Sequence, residues 1–134
     1  TLDRLLKPGG RIALQVITIP DQRYEAYRQN PDWIQKHIFP GGVLPSLTEL
    51  SKAMTKDSML HIDHIENIGI HYAETLRRWR SACETHSEKL EQMGYDQTFQ
   101  RKWIYYLAYC EAGFQTEFTN DLHMVLKRPT ETVN

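Results

Sequence analysis

One polar side chain interrupts the most apolar segment of the sequence. Residues 11–19 read RIALQVITI, in which Gln15 stands among aliphatic residues. An amide that is buried without a hydrogen-bond partner costs on the order of 1 to 3 kcal/mol, so Gln15 must have partners. Ligands of open α/β sheets bind at the carboxyl ends of the strands, and residues 15–19 form that end. Gln15 is therefore a candidate ligand-binding residue, and the alternative is an amide satisfied by neighbouring backbone or by water.

Aromatic residues form a second candidate site, in the second half of the chain. They recur at helical spacing: Tyr72, Trp79, Phe99, Trp103, Tyr106 and Phe114. Such a stripe is more often typical of a hydrophobic core than of a ligand pocket. Two of its members carry hydroxyl groups, which need hydrogen-bond partners when they are buried. Tyr72 is the stronger candidate of the two, because it begins a predicted helix directly after a predicted strand.

The segment 38–46, IFPGGVLPS, combines prolines, glycines and large apolar residues in a loop. Prolines make such a loop stiff, and glycines let a ligand approach its backbone. An ordinary connection between two helices accounts for the same residues equally well. Both interpretations stay open on these residues alone.

Three histidines and an aspartate lie close together in the sequence, at His61, Asp63, His64 and His71. Positions 61 and 64 of a regular strand point to opposite faces, and the sequence has no paired cysteines or HExxH pattern. We therefore predict histidines at the surface or half-buried, and no metal site.

The elements that position these residues alternate between strands and helices. Residues 11–19 are predicted to be a strand covered on both faces in a parallel sheet, because their apolar run is almost continuous. Ser46 and Glu49 fit the capping box that begins a helix. Residues 59–68 alternate imperfectly and are predicted to be a second strand, which Gly69 ends.

A helical hairpin is predicted between the second and third strands. Residues 72–93 place apolar side chains alternately three and four positions apart, which predicts one long helix. Gly94 suits the C-cap of that helix, and Asp96 suits the N-cap of the next one. Residues 121–127 are predicted to be the last strand, and residues 129–134 a flexible tail. The predicted fold class is α/β, with three strands and a helical-hairpin insertion before the last.

Composition bounds the function classes. The 134 residues weigh 15.8 kDa, are 40% hydrophobic and carry a net charge of -1, which suits one globular domain and no nucleic-acid partner. No apolar run reaches the roughly 18 to 20 residues of a membrane span. The two cysteines form no disulfide framework, which favours a reducing cytoplasm. The chain starts without Met in what reads as the end of a helix, so we expect that part of a larger domain lies upstream.

Four segments carry a resemblance to one family of lipid-modifying enzymes. They read, in order, LKPGGRIALQVITI, DQRYEAYRQNPDWIQKHIFPGGVLPS, GIHYAETLRRWR and YYLAYCEAGF. Together they closely resemble the C-terminal half of cyclopropane-fatty-acyl-phospholipid synthases and mycolic acid cyclopropane synthases. The resemblance implies that residues 1–128 are the C-terminal part of a class I, Rossmann-like fold that depends on S-adenosylmethionine (SAM).

The resemblance also implies a reaction. The family transfers a methyl group from SAM to the cis double bond of an unsaturated acyl chain, and a bound bicarbonate then removes a proton so that the ring closes. A small base held by hydrogen bonds suits a carbocation in a dry apolar pocket. The glycine-rich loop and the acidic residue with which the family binds SAM have no counterpart in this sequence. We therefore assign no cofactor-binding residue and expect the chain alone to be inactive.

The bicarbonate residues of the family map onto three positions of this chain. Tyr72 corresponds to the Tyr of the HYAETL motif, and Ile17 to an Ile that binds bicarbonate through its backbone. Gln15 stands where the family has a His. A Gln can donate an N–H to bicarbonate, but it cannot take up a proton as an imidazole can.

The acyl tunnel of the family maps onto Phe39, Leu44 and Cys110, and we expect Tyr106 beside them. The partners implied are unsaturated phospholipid acyl chains, a peripheral contact at the cytoplasmic face of the membrane, and a second copy of the chain. A stand-alone acyl-chain-binding or dimerisation module without catalysis is the alternative.

Overall fold

The computed structural model describes residues 2–130 of the chain. They fold as two compact units. The sheet unit contains the residues up to Asn30, the segment Val43–Ile68 and the residues from Asn120 onward, and the hairpin unit contains Pro31–Gly42 and Gly69–Thr119. No helix in the described part is both long and apolar enough to cross a membrane. Most of the predicted tail, residues 131–134, lies outside the described residues.

Strands and helices alternate in the predicted order. The strands are β1 (Arg11–Thr18), β2 (His61–Asn67) and β3 (Asn120–Lys127). The helices are α1 (Leu2–Leu5), α2 (Asp21–Gln29), α3 (Trp33–His37), α4 (Leu47–Asp57), α5 (Gly69–Thr85), α6 (Ser87–Gln92) and α7 (Gln97–Gln115). Because α5 to α7 lie between β2 and β3, the α/β class and the helical insertion before the last strand are confirmed.

The sheet has the strand order β1-β3-β2, and β3 runs antiparallel to both of its neighbours. The prediction of a parallel strand covered on both faces is therefore wrong for β1 in the described part. Burial alternates along β1, and Ala13 and Gln15 are exposed on the face opposite to the core. The apolar run concealed this alternation, because a small alanine and the apolar Ile17 share the face with the amide.

The core of the sheet unit lies against one face of the sheet. Alternate residues of β3, Leu122, Met124 and Leu126, are buried in it together with Leu60. Side chains of β1 and α4 pack around them, at Ile12, Leu14, Val16, Leu47, Leu50 and Met54. One face of β1 thus packs against the core, and Gln15 and Ile17 lie on its other face.

The N-terminus of α4 shows half of the predicted capping box. The Ser46 hydroxyl accepts a hydrogen bond from the backbone N–H of Glu49 at 3.3 Å, as predicted. The Glu49 carboxylate instead accepts a hydrogen bond from Lys52 at 2.8 Å. The N-cap residue is confirmed, and the acidic residue of the first turn favours the positive end of the helix.

A β-bulge in β2 accounts for its imperfect alternation. The register with β3 shifts within Ile62–His64, so that His61 and His64 face β3 residues that are two positions apart. These two histidines therefore lie on the same face, and the prediction of opposite faces is wrong, because the bulge adds one residue. Asp63 forms an ion pair with Arg11 at 3.2 Å. Within residues 2–130 no group of three His, Cys, Asp or Glu side chains could hold a metal ion.

The helical hairpin of the second unit packs α5 against α7. The predicted single helix over residues 72–93 is wrong in detail, because α5 ends at Thr85 and α6 begins at Ser87. His86 lies at the break, and its Nδ1 is 2.8 Å from the carbonyl oxygen of Ala82. Gly69 begins α5, two residues after the end of β2.

The turn into α7 follows the predicted capping residues. Gly94 has a φ of 94°, a left-handed conformation that glycine adopts without strain. The Asp96 carboxylate accepts a hydrogen bond from the backbone N–H of Phe99 at 2.7 Å. The sequence therefore located this turn correctly.

Candidate functional site

Gln15 and Ile17 point to the same side of β1, since alternate residues of a strand share a face. In the register with β3, Gln15 lies opposite His123, and Ile17 lies opposite Asp121. The Gln15 Nε2 donates a hydrogen bond to Asp121 Oδ2 at 2.7 Å. Gln15 has a partner, as predicted, and that partner is an ionisable side chain. The premise of the prediction, a buried amide, is wrong, because Gln15 is exposed.

Asp121 is the functional candidate that sequence reasoning missed. Its residue exposure is 0%, and its Oδ1 is a buried atom without a hydrogen-bond partner in the described part of the chain. A carboxylate at the start of an apolar strand was a visible signal in the segment NDLHMVL. The sequence alone did not show which residue this carboxylate contacts. The pairing of β1 with β3 places Asp121 diagonally across from Gln15, although the two residues are 106 positions apart in the sequence.

The loop before α4 is held at both of its ends, each within its own unit. In the sheet unit, the backbone N–H of Ile19 donates to the carbonyl of Pro45 at 3.0 Å, next to the half-buried Leu44. In the hairpin unit, the buried Gln35 donates through Nε2 to the carbonyl of Gly42 at 2.8 Å. The IFPGG segment is therefore held at Gly42 by the side chain of Gln35, a contact that no local sequence pattern indicated.

Phe39, Tyr106 and Cys110 form one cluster in the hairpin unit. The rings of Phe39 and Tyr106 are 6.0 Å apart between centroids and meet edge to face. The Tyr106 hydroxyl hydrogen-bonds the Cys110 thiol, one helical turn further along α7. Sequence analysis placed these three residues together as an acyl-chain lining, and the structure places them in contact.

Burial keeps the polar groups of this cluster uncharged. It raises the pKa of the Tyr106 phenol above its ordinary value, and the neighbouring Cys110 adds to the effect. It raises the pKa of the Cys110 thiol to about 11, although the hydrogen bond from Tyr106 acts in the opposite direction. At neutral pH the cluster therefore presents neutral groups, as the surroundings of a hydrocarbon chain require.

Tyr72 lies in the first turns of α5, among aromatic rings. Its ring centroid is 5.0 Å from that of Phe114 and 6.1 Å from that of Trp79, both in edge-to-face geometry. Along α7 the rings of Trp103 and Tyr106 are 4.9 Å apart. The predicted aromatic stripe is thus a set of ring contacts within the hairpin unit, and the Tyr72 ring takes part in its packing.

An apolar groove continues the aromatic stripe of α7. It has a volume of about 370 Å³ and is lined by Cys83, Leu90, Tyr95, Phe99, Gln100 and Trp103. A pocket of about 300 Å³ or more is large enough for part of an extended hydrocarbon ligand. The groove and the cluster around Tyr106 therefore give the hairpin unit an extended apolar surface.

The strand order, the antiparallel last strand and the helical insertion place the chain in the class of SAM-dependent methyltransferase folds, as the solved structures below show. Residues 1–124 match the family described as mycolic acid cyclopropane synthetase. The chain belongs to this family, whose members are SAM-dependent methyltransferases that modify lipids.

Two curated relatives match almost the whole chain. Tuberculostearic acid methyltransferase UfaA1 of Mycobacterium tuberculosis is 41% identical over 127 residues, which are 95% of this chain and 30% of that protein. Cyclopropane-fatty-acyl-phospholipid synthase of Escherichia coli (strain K12) is 30% identical over 131 residues, which are 97% of this chain and 32% of that protein. The chain thus spans about a third of the length of these relatives.

Solved structures show the same fold. The cyclopropane synthase MmaA2 from Mycobacterium tuberculosis superposes with a TM-score of 0.80 and 22% identity, over 95% of this chain and 47% of that one. Mycolic acid cyclopropane synthase CmaA1, complexed with SAH and CTAB, gives a TM-score of 0.79 and 22% identity, over 93% of this chain and 46% of that one.

Proposed function

We propose that this chain is the substrate-side part of a longer SAM-dependent enzyme. The enzyme transfers a methyl group to the cis double bond of an unsaturated phospholipid acyl chain and produces a cyclopropane fatty acid. The observation that carries the proposal is the uncharged cluster of Phe39, Tyr106 and Cys110 in a chain of this family. For Leu44, half-buried in its loop of the sheet unit, we propose a separate contact with the acyl chain.

SAM is proposed to bind mainly to the rest of the longer protein. A SAM site after a strand needs a glycine-rich turn, but β1 is followed by Pro20 and then by α2, which begins at Asp21. SAM supplies an electrophilic methyl group to one alkene carbon. The residues described here have a different task, which is to hold the acyl chain and the base.

Bicarbonate fits the groups that the sheet unit offers. It would accept the proton that the methylated acyl chain loses when the ring closes. Gln15 has two N–H groups on Nε2, of which the bond to Asp121 uses one, and its Oε1 remains an acceptor. We propose that Gln15 and the backbone of Ile17 bind bicarbonate from β1 of the sheet unit. For the hydroxyl of Tyr72, on α5 of the hairpin unit, we propose a hydrogen-bond donor role in the same reaction.

The substitution Tyr72→Phe tests this assignment in the complete enzyme. Loss of one charge-assisted hydrogen bond, worth roughly 1.5 to 3 kcal/mol, should slow turnover by about one to two orders of magnitude. The melting temperature should change little, because the ring keeps its contacts with Phe114 and Trp79. The measurement is methyl transfer from radiolabelled SAM to vesicles of unsaturated phospholipid.

Tyr105→Phe is the matched control, because Tyr105 is a half-exposed tyrosine of the same unit, and it should keep wild-type turnover. Gln15→His should be tolerated or raise activity. A Tyr72→Phe enzyme with wild-type turnover would overturn the bicarbonate assignment.

Chromatography of the methylated acyl chains distinguishes a cyclopropane product from a methyl branch. Binding of acyl chains without any methyl transfer would favour the alternative, a module without catalysis.

Contact with a membrane surface is proposed for the hairpin unit. Its large exposed side chains include Phe39, Ile70, Trp79 and Met93, which are between 50% and 62% exposed. Aromatic and aliphatic side chains of this kind favour the interface of a lipid bilayer. We propose a peripheral position at the cytoplasmic face of the membrane.

The two free cysteines, Cys83 and Cys110, are compatible with this proposed location, because thiols stay reduced in the cytoplasm.

A further inference from the structure

We propose that Asp121 is a positioning residue, which fixes the side-chain amide of Gln15 and so determines which groups of that amide a ligand meets. The identity of the ligand, bicarbonate, rests on the function proposed above. The positioning itself rests on the geometry of the two side chains in the sheet unit.

The orientation of the amide follows from the chemistry of its partner. An ionised carboxylate accepts hydrogen bonds and donates none. The Gln15 Nε2 lies 2.7 Å from Asp121 Oδ2, so an N–H points at the carboxylate. If the amide turned over, Oε1 would face Asp121 Oδ2, so that two acceptor oxygens would meet and this hydrogen bond would be lost. Asp121 therefore selects one of the two orientations of the Gln15 amide.

The selected orientation leaves a donor and an acceptor free for a ligand. One N–H of Gln15 is used by Asp121, and the other N–H and Oε1 are available on the exposed side chain. Bicarbonate carries an O–H donor and anionic acceptor oxygens on one planar group. An amide presented in this way can donate to an oxygen of bicarbonate and accept from its O–H at the same time. A freely turning amide would present this pair of groups for only part of the time.

The burial of the Asp121 carboxylate does not stabilise the folded state. Its exposure is 0%, and its Oδ1 has no hydrogen-bond partner within residues 2–130. A buried carboxylate with one donor destabilises the folded state relative to an apolar residue of similar size. The hydrogen bond to Gln15 is the contact that engages the Asp121 carboxylate within residues 2–130, which points to a role in holding that amide.

The first test observes the amide in solution, without turnover. In protein labelled with ¹⁵N and ¹³C, NMR should detect scalar coupling across the hydrogen bond between Gln15 Nε2 and the Asp121 carboxyl carbon. Hydrogen exchange of the Gln15 side-chain amide should become about tenfold faster in Asp121→Asn, whose side chain lacks the charge. The control is Thr18→Val, which alters a buried polar residue of the same sheet. It should leave the exchange rate unchanged.

The second test measures the bicarbonate concentration that gives half-maximal methyl transfer by the complete enzyme. Asp121→Asn should raise it about tenfold, as expected for a weakened hydrogen bond, with turnover at saturating bicarbonate within a factor of about two. Gln15→Ala should raise it by at least as much. In the Gln15→Ala background, Asp121→Asn should have no further effect, because it acts only through the amide.

The outcomes separate the inference from the proposed function. Absence of the scalar coupling in the wild-type protein, or an additive effect in the double variant, overturns the positioning role. Slow amide exchange that depends on Asp121, in an enzyme whose turnover does not depend on bicarbonate, supports the positioning role and overturns the proposed ligand. If Asp121→Asn does not fold, the coupling in the wild-type protein still decides whether the bond exists, and Asp121→Ser replaces Asp121→Asn in the kinetic comparison.

Discussion

The Cys110 thiol shows how the surroundings of a residue determine its chemistry. A free cysteine in a SAM-dependent enzyme could serve as a nucleophile, but burial raises the pKa of this thiol to about 11. The hydrogen bond from Tyr106 lowers the pKa and only partly offsets that effect. The residue therefore contributes a small apolar surface and a weak acceptor for the Tyr106 hydroxyl.

Alkylation should report this raised pKa. The thiolate is the species that reacts, so the rate of Cys110 alkylation by iodoacetamide should rise about tenfold per pH unit and level off only near pH 11. The measurement uses the variant Cys83→Ser, with the modified peptide quantified by mass spectrometry at each pH. A rate that levels off at about pH 9 or below, the range of an ordinary thiol, would contradict the assignment of a buried, neutral thiol.

At the scale of the elements, a polar contact joins the two long helices of the hairpin. The Arg80 guanidinium on α5 donates to the Glu111 carboxylate on α7 at 3.0 Å. The side chains are 31% and 11% exposed, respectively. Without the Glu111 charge, the guanidinium keeps only the more exposed Glu84 carboxylate, 3.6 Å away on its own helix, so the contact that joins α5 to α7 is weakened.

Glu111→Gln should therefore lower the free energy of unfolding by about 1 to 2 kcal/mol. The matched control is Glu74→Gln on the surface of α5. Glu74 pairs with Arg77 and Arg78 at 2.7 Å, but its side chain is 42% exposed. Exposed pairs are screened by solvent and contribute little to stability, so the control should have the smaller effect. Urea denaturation followed by circular dichroism measures both variants, and equal losses would contradict the structural role of Glu111.

At the scale of the whole molecule, the sheet unit has an outer strand, β1, with one edge unpaired in the described part. β1 is hydrogen-bonded to β3 on one side only. Ala13, Gln15 and His123 are exposed on the face opposite to the core. Unpaired strand edges of this kind associate readily with another chain.

We therefore expect the 134-residue chain to associate with itself in solution. Val16 lies in the middle of β1, and Val16→Pro should weaken the association if the strand edge mediates it, because proline cannot donate to a strand ladder. Light scattering over a range of concentrations measures the mass, and circular dichroism confirms that the variant is folded. A monodisperse monomer at high concentration of the wild-type chain would contradict the expectation.

Local signals in the sequence predicted much of the fold. Gly94 and Asp96 located the turn of the hairpin, because left-handed backbone and helix caps depend on single residue types. Ser46 located the start of α4 in the same way. The run of residues 11–19 predicted a strand but not the direction of its neighbour, since hydrophobic pattern reports burial and not pairing.

The sequence by itself determined the α/β order, the family and the residue types at the candidate site. Tertiary structure alone decided that β3 lies between β1 and β2, that a bulge places His61 and His64 on one face, and that Asp121 accepts the hydrogen bond of Gln15. The physical reason is that strand register brings together residues 106 positions apart. No local propensity encodes such a contact, because it exists only when both strands are paired in one sheet.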